Sequence, residues 1–167
     1  MFLVWCLIAS LGIVLDQVTK IAASAKLSQK GAVPFIPYVF NFTYVENRGA
    51  AWGMFADQRW VFMTVSTVAI VLLLCFLFYY STAPKMFCIC LAMILSGGVG
   101  NMIDRVRCGF VTDFIQFDFW KSFPVFNVAD IFITVGCFLM VIYIAFIDKT
   151  IFQDKKEDAE NNEDGNG

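Results

Sequence analysis

From Trp60 to Tyr80 the chain runs for 21 residues without a charge. A helix of that length rises about 30 Å, the thickness of a bilayer's hydrocarbon core. Three more segments repeat the pattern, so spans are predicted at about 2–24, 60–80, 86–104 and 126–147. Composition agrees, with 59% hydrophobic residues and 19 Phe. A soluble domain is about 45–50% apolar even with Gly counted. Trp60, Tyr79 and Tyr80 flank the second span as interfacial aromatics. The length of 167 residues allows one domain. Residues 1–150 are read as a single four-helix membrane unit, and 151–167 as an acidic, disordered, dispensable tail.

Four spans put both termini on one side of the membrane and both long connections on the other. The first connection, 28–57, is expected to hold a small β element. Val33-Pro34-Phe35-Ile36-Pro37 is too rich in Pro for a helix. From Val39 the residues alternate, with Val39, Asn41, Thr43 and Val45 on one face and Phe40, Phe42 and Tyr44 on the other. Asn41-Phe42-Thr43 matches a glycosylation sequon, which a Thr/Asn strand face explains equally well. The Gly pair of Glu46-Asn47-Arg48-Gly49-Ala50-Ala51-Trp52-Gly53 suits a tight turn. Counting Lys and Arg alone would place the long connections in the cytoplasm.

The first span carries Asp16 and Lys20, four residues apart on one helix face. They read equally as a tolerated ion pair near the interface or as support for a polar site. Ala23-Ser24-Ala25 has the form of a signal-peptide cleavage site. The run before it lacks Lys and Arg and is interrupted by Asp16, so a retained helix is expected.

Several chemistries are excluded outright. There is no His, which removes Ser-His-Asp and Cys-His catalysis and the commonest transition-metal ligand. Of the six Cys, five lie in apolar runs as small hydrophobes, and Cys88 and Cys90 have neither redox nor zinc spacing. No metal or cofactor is expected. A net charge of −2 gives no basic field for nucleic acid.

Against this background Gly97 to Asp130 stands out. It joins two apolar spans yet holds Asp104, Arg105, Arg107, Asp113, Asp118 and Asp130. Charge beside a bilayer is costly and usually functional. Asn127-Val128-Ala129-Asp130 has the form of a helix cap, with Asn127 accepting from backbone N–H groups and Asp130 reaching back. Asp113 sits in the apolar Phe110-Val111-Thr112-Asp113-Phe114-Ile115, where desolvation raises its proton affinity. Two such carboxylates brought together share a proton. One then activates water while the other protonates a carbonyl oxygen or leaving amine. Asp118 reads as an ordinary exposed loop residue.

The chain resembles the lipoprotein signal peptidases, also called signal peptidase II. The blocks occur in order: Asp16-Gln17-Val18-Thr19-Lys20, Asn47-Arg48-Gly49-Ala50-Ala51-Trp52-Gly53, Gly97 through Gly100-Asn101-Met102-Ile103-Asp104-Arg105, Val111-Thr112-Asp113-Phe114 and Phe126-Asn127-Val128-Ala129-Asp130. Ser96-Gly97-Gly98 stands where members often carry Gly-Gly-Ala. The resemblance implies an aspartic endopeptidase of the bacterial inner membrane. It would cut a prolipoprotein just before its diacylglyceryl-modified Cys, releasing the signal peptide. Asp113 and Asp130 would be the catalytic dyad. Asn47, Gly49, Gly97, Asn101, Arg105, Asn127 and Ala129 would line or support the site, with Asp16 and Lys20 behind it and Asp104 paired to a nearby Arg. The resemblance also reverses the charge count, placing the termini in the cytoplasm and the site outside.

The full expectation is an all-α membrane protein. It has four transmembrane helices, a small extracytoplasmic β element in the first long loop and a short second extracytoplasmic loop. Its partners are lipidated prolipoproteins and membrane lipids, and it acts as a monomer. The residues also admit two rivals: a small proton-coupled transporter or channel using Asp16, Asp104, Asp113 and Asp130, and a structural subunit with Asp130 as a cap. An inverted internal repeat, which a transporter often shows, is not seen.

Overall fold

A computed structural model describes residues 1–49 and 59–147. The order is α1 (Phe2–Leu27), β1 (Val33–Ile36), β2 (Phe40–Asn47), α2 (Arg59–Tyr79), α3 (Lys85–Arg107), β3 (Val111–Phe117) and α4 (Val128–Ile142), which ends in a π-helical turn at Tyr143–Ile147. Ala50-Ala51-Trp52-Gly53, the end of the first connection and the acidic tail lie outside the described residues.

Among the described residues, four helices are long and apolar enough to cross a membrane. Their outer faces explain why. Leu3, Leu7, Leu11, Val14, Val18 and Ile21 form an exposed stripe along α1. Water would penalise so large an apolar surface, and lipid does not. Trp60 and Tyr79 are 74% and 78% exposed at the ends of the second span, where amphipathic rings favour the interface.

The centre belongs to α3, which packs against each of the other three helices. Its buried face is built largely of small residues, including Cys88, Cys90, Ala92, Ser96, Gly97 and Gly100. Without an aqueous hydrophobic effect between spans, close backbone approach is what holds such helices together. Near the termini, Trp5 and Ala9 of α1 pack with Leu77, Cys88, Leu91, Ala92 and Leu95 in one cluster. The Trp5 indole donates to the Ser81 carbonyl at 3.0 Å, tying α1 to the α2–α3 turn.

The β element differs from expectation in one respect. It is a three-stranded antiparallel sheet in the order β1-β2-β3, and the third strand comes from the second connection. Phe40, Phe42, Val45 and Asn47 pair with Phe117, Ile115, Asp113 and Val111. The alternation in β3 was disguised because Asp113 takes an apolar-face position beside Val111, Ile115 and Phe117. The two connections therefore share one sheet, as the side-by-side topology required. Asp118 is not an idle loop residue either: the Asn41 amide donates to it at 2.9 Å, closing the β2–β3 end of the sheet. Helix ends also move. α1 reaches Leu27, α3 reaches Arg107 and α4 begins only at Val128, after its Asn127 cap.

Candidate active site

The site is built where α4 begins. Asn127 is fully buried, and its Oδ1 accepts from the Asp130 backbone N–H at 3.0 Å. Asp130 Oδ2 accepts in return from the Asn127 backbone N–H at 3.1 Å. This is a complete capping box, so the capping reading is correct. It does not exhaust Asp130, whose Oδ1 accepts from the Asn101 amide at 2.8 Å.

The same cap reaches the other acid. Asn127 Nδ2 donates to Asp113 Oδ1 at 2.6 Å, while Asn47 Nδ2 donates to Asp113 Oδ2 at 2.9 Å. Asn47 is held by an Asx turn, its Oδ1 accepting from the Gly49 N–H at 3.0 Å. One buried asparagine thus joins both carboxylates, through its side chain to Asp113 and its backbone to Asp130. Among the described residues no Lys or Arg is in ion-pair contact with either acid.

Burial pushes the Asp113 carboxyl up from 3.8 to about 7, and the charge of Asp130 adds to the effect. The amides of Asn47 and Asn127 act the other way, because they favour the ionised form. Two acids in this setting can hold one proton between them near neutral pH.

Both line a cavity of about 460 Å³ with Asn47, Gly49, Asn101 and Arg105. Asn47, Val111, Asp113 and Phe117 bring it against the sheet, and Ile131, Thr134 and Val135 carry it along α4. Arg105 lies over the Phe62 ring at 5.3 Å, bringing α2 to the wall.

Behind the cavity is a second polar layer. Lys20 Nζ lies 3.0 Å from Asp16 Oδ2 and 3.2 Å from Asp104 Oδ2, with all three side chains almost wholly buried. Asp104 therefore pairs with Lys20 and not with a nearby Arg. It faces α1, and it also accepts from Gln17 at 3.1 Å and from the Thr112 backbone N–H at 3.0 Å. Asp16 Oδ1 accepts from the Ala129 N–H at 3.0 Å, which fixes α1 to the first turn of α4. Two glycines make room. A methyl on Gly97 would strike the Ala129 carbonyl, and one on Gly100 would strike the Asp16 carboxylate.

Of the residues singled out from sequence, Asn47, Gly49, Asn101, Arg105, Asp113 and Asp130 line the cavity. Asn127, Ala129, Gly97, Asp16, Lys20 and Asp104 stand behind it. Gln17 was missed, although its amide bridges Asp16, the Gly100 carbonyl and Asp104. Its place between Asp16 and Lys20 was the available signal. Thr134 was missed too, yet it lies four residues after Asp130 on the same helix face.

A model of the family described as signal peptidase (SPase) II matches residues 8–146. A lipoprotein signal peptidase of Clostridium tetani is 41% identical, over 90% of this chain and 96% of that one. One from Caldanaerobacter subterraneus subsp. tengcongensis is 45% identical, over 75% of this chain and 85% of that one. A bacterial membrane enzyme solved at 1.9 Å superposes with a TM-score of 0.78 at 30% identity, covering 86% of this chain and 94% of that one. These matches give no support to a transporter, a channel or a structural subunit. With its four spans, the chain is a multi-pass protein of the bacterial inner membrane, and it belongs to the signal peptidase II family of aspartic endopeptidases.

Proposed function

We propose that this enzyme removes signal peptides from diacylglyceryl-modified prolipoproteins, cutting just before the lipidated Cys, with Asp113 and Asp130 as the catalytic dyad. The observation that carries this reading is the Asn127 bridge. It holds two acids beside one cavity on neutral donors alone, so the pair can keep a single proton. The ionised acid takes a proton from water as the water oxygen attacks the scissile carbonyl. The protonated acid gives its proton to the carbonyl oxygen. Collapse of the tetrahedral intermediate breaks the C–N bond, and the leaving amine takes up a proton from the dyad.

The cavity's form fits such a substrate. Its polar half would take the extended segment around the scissile bond, and its apolar half, along Ile131, Thr134 and Val135, would face the signal helix and lipid. Asn47, Gly49, Asn101 and Arg105 would contact the substrate. The termini are placed in the cytoplasm and the sheet with its cavity at the outer face. Residues 1–150 act as one unit, working as a monomer, and 151–167 are dispensable.

The test is signal-peptide release from a purified lipidated prolipoprotein, followed by gel. Asp113→Asn and Asp130→Asn should each lower the rate by about a thousandfold or more while the protein stays folded. A chelator should leave the rate unchanged. Cleavage persisting in both variants would sink the dyad.

A further inference from the structure

Lys20 has no contact with either acid of the dyad, yet it is among the most buried side chains in the protein. Its ammonium has three N–H donors and no acceptor. All three are matched: Asp16 Oδ2 at 3.0 Å, Asp104 Oδ2 at 3.2 Å and Asn101 Oδ1 at 2.8 Å. The first two contacts suffice to neutralise the charge. The third leads to the cavity.

An asparagine amide is nearly symmetric in shape and opposite in chemistry at its two ends. Asn101 sits between Lys20 and Asp130. With Oδ1 on Lys20, Nδ2 donates to Asp130 Oδ1 at 2.8 Å. Rotated by half a turn, it would set an N–H against an ammonium and an oxygen against a carboxylate. Both contacts would become repulsive. Asn101 Oδ1 also accepts from Asn127 Nδ2 at 3.1 Å, and that same Nδ2 donates to Asp113. Asn127 is turned the same way by its own cap, where its Oδ1 accepts from the Asp130 N–H, so each amide presents its N–H end to a dyad carboxylate.

We propose that Lys20 is a positioning residue for the dyad, acting through Asn101: a donor-only group, anchored by Asp16 and Asp104, sets the direction of the Asn101 amide that donates to Asp130. The arrangement orients the donors without placing a cation on either acid, where it would hold both carboxylates ionised. This rests on the dyad reading above and adds a source for its alignment. The simpler role, an ion pair joining α1 to α3, would need no contact with Asn101.

A double-mutant cycle separates the two. Wild type, Lys20→Met, Asn101→Ala and the double variant are assayed for kcat and KM on one lipidated substrate in the same detergent. Lys20→Met should lower kcat by about tenfold or more with KM changed by less than about threefold, since misdirected donors affect alignment more than binding. In the Asn101→Ala background, the same change should cost kcat no more than about twofold, because the amide that Lys20 orients is gone. Losses that multiply across the cycle would overturn the proposal. Each variant is first checked for cooperative unfolding. If Lys20→Met does not fold, Lys20→Gln takes its place in the cycle with the same criteria. Asp113→Asn and Asp130→Asn run alongside. If these still cleave, the dyad reading fails; if they are dead and the losses multiply, only the role of Lys20 fails.

Discussion

Asp16 and Asp104 share one ammonium, whereas Asp113 and Asp130 share asparagines. The two pairs are neighbours, on either side of Asn101. The first pair has a full positive charge at about 3 Å and hydrogen bonds to most remaining oxygens. Their contacts tie α1 to α3 and to the first turn of α4. The second pair has only neutral donors. With no Lys or Arg in ion-pair contact among the described residues, one of its acids can retain a proton near neutral pH, which acid–base chemistry requires. The same residue type sits in two different electrostatic settings, according to whether lysine or asparagine faces it.

The largest effect is expected on the ion-paired side. Asp16→Ala removes one of the two carboxylates on Lys20, leaves Asp104 to balance the ammonium, and orphans the Ala129 N–H. A lost charged hydrogen bond and an unsatisfied buried donor together cost about 2–4 kcal/mol. The expected result is a large fall in melting temperature in detergent, with loss of activity following loss of fold. A variant as stable as wild type would show that Asp104 alone suffices for Lys20 and that Asp16 does not hold α1 to α4.

Sequence alone foretold the spans and the neighbouring connections, because both follow from long apolar runs and an even number of crossings. The i, i+4 spacing of Asp16 and Lys20 and the Asn127–Asp130 cap were also legible, since both are local. What was not legible came from pairing between distant segments. β3 hides its period because a buried carboxylate occupies an apolar-face position. Asp104 stands beside Arg105 in sequence, but a helix turns neighbours about 100° apart, and Asp104 faces Lys20 on α1. Asp118 reads as loop until β2 brings Asn41 against it. The resemblance pointed to the candidate residues, but not to the hydrogen bonds that divide them into two kinds.

On the dyad side, substitution should act in the opposite direction on stability. Folding raises the Asp113 carboxyl from 3.8 to about 7. Below about pH 4 both folded and unfolded chains hold the proton, and burial of Asp113 carries no charge penalty. Between about 4 and 7 the folded state keeps a proton that the unfolded chain releases, so this group's contribution to stability falls as pH rises. Above about 7 the penalty is constant. Asp113→Asn removes the ionisable group, at the expense of an acceptor for Asn47 or Asn127. A net gain of about 1 kcal/mol is expected at pH 8, seen as a higher melting temperature, and no gain at pH 4. A variant less stable than wild type at pH 8 would mean that the ionised carboxylate is worth more to its asparagines than its burial costs.

The smallest and most specific effect belongs to Asn47. Its amide donates to Asp113 Oδ2 at 2.9 Å and so favours the ionised form. If the active dyad carries one proton, the alkaline limb of kcat/KM reports its loss and falls near pH 7, where Asp113 gives up its proton. Asn47→Ala removes a donor to the charged form while leaving Asn127 in place. Asp113 then keeps its proton to higher pH, and the limb should move upward. A hydrogen bond worth about 1 kcal/mol corresponds to somewhat under one pH unit, so a shift of about half to one unit is expected. The measurement is kcat/KM between pH 5 and 9 for wild type and variant in the same detergent. A downward shift would mean that Asn47 favours the protonated acid, which would reverse the balance of donors assigned to this half of the site.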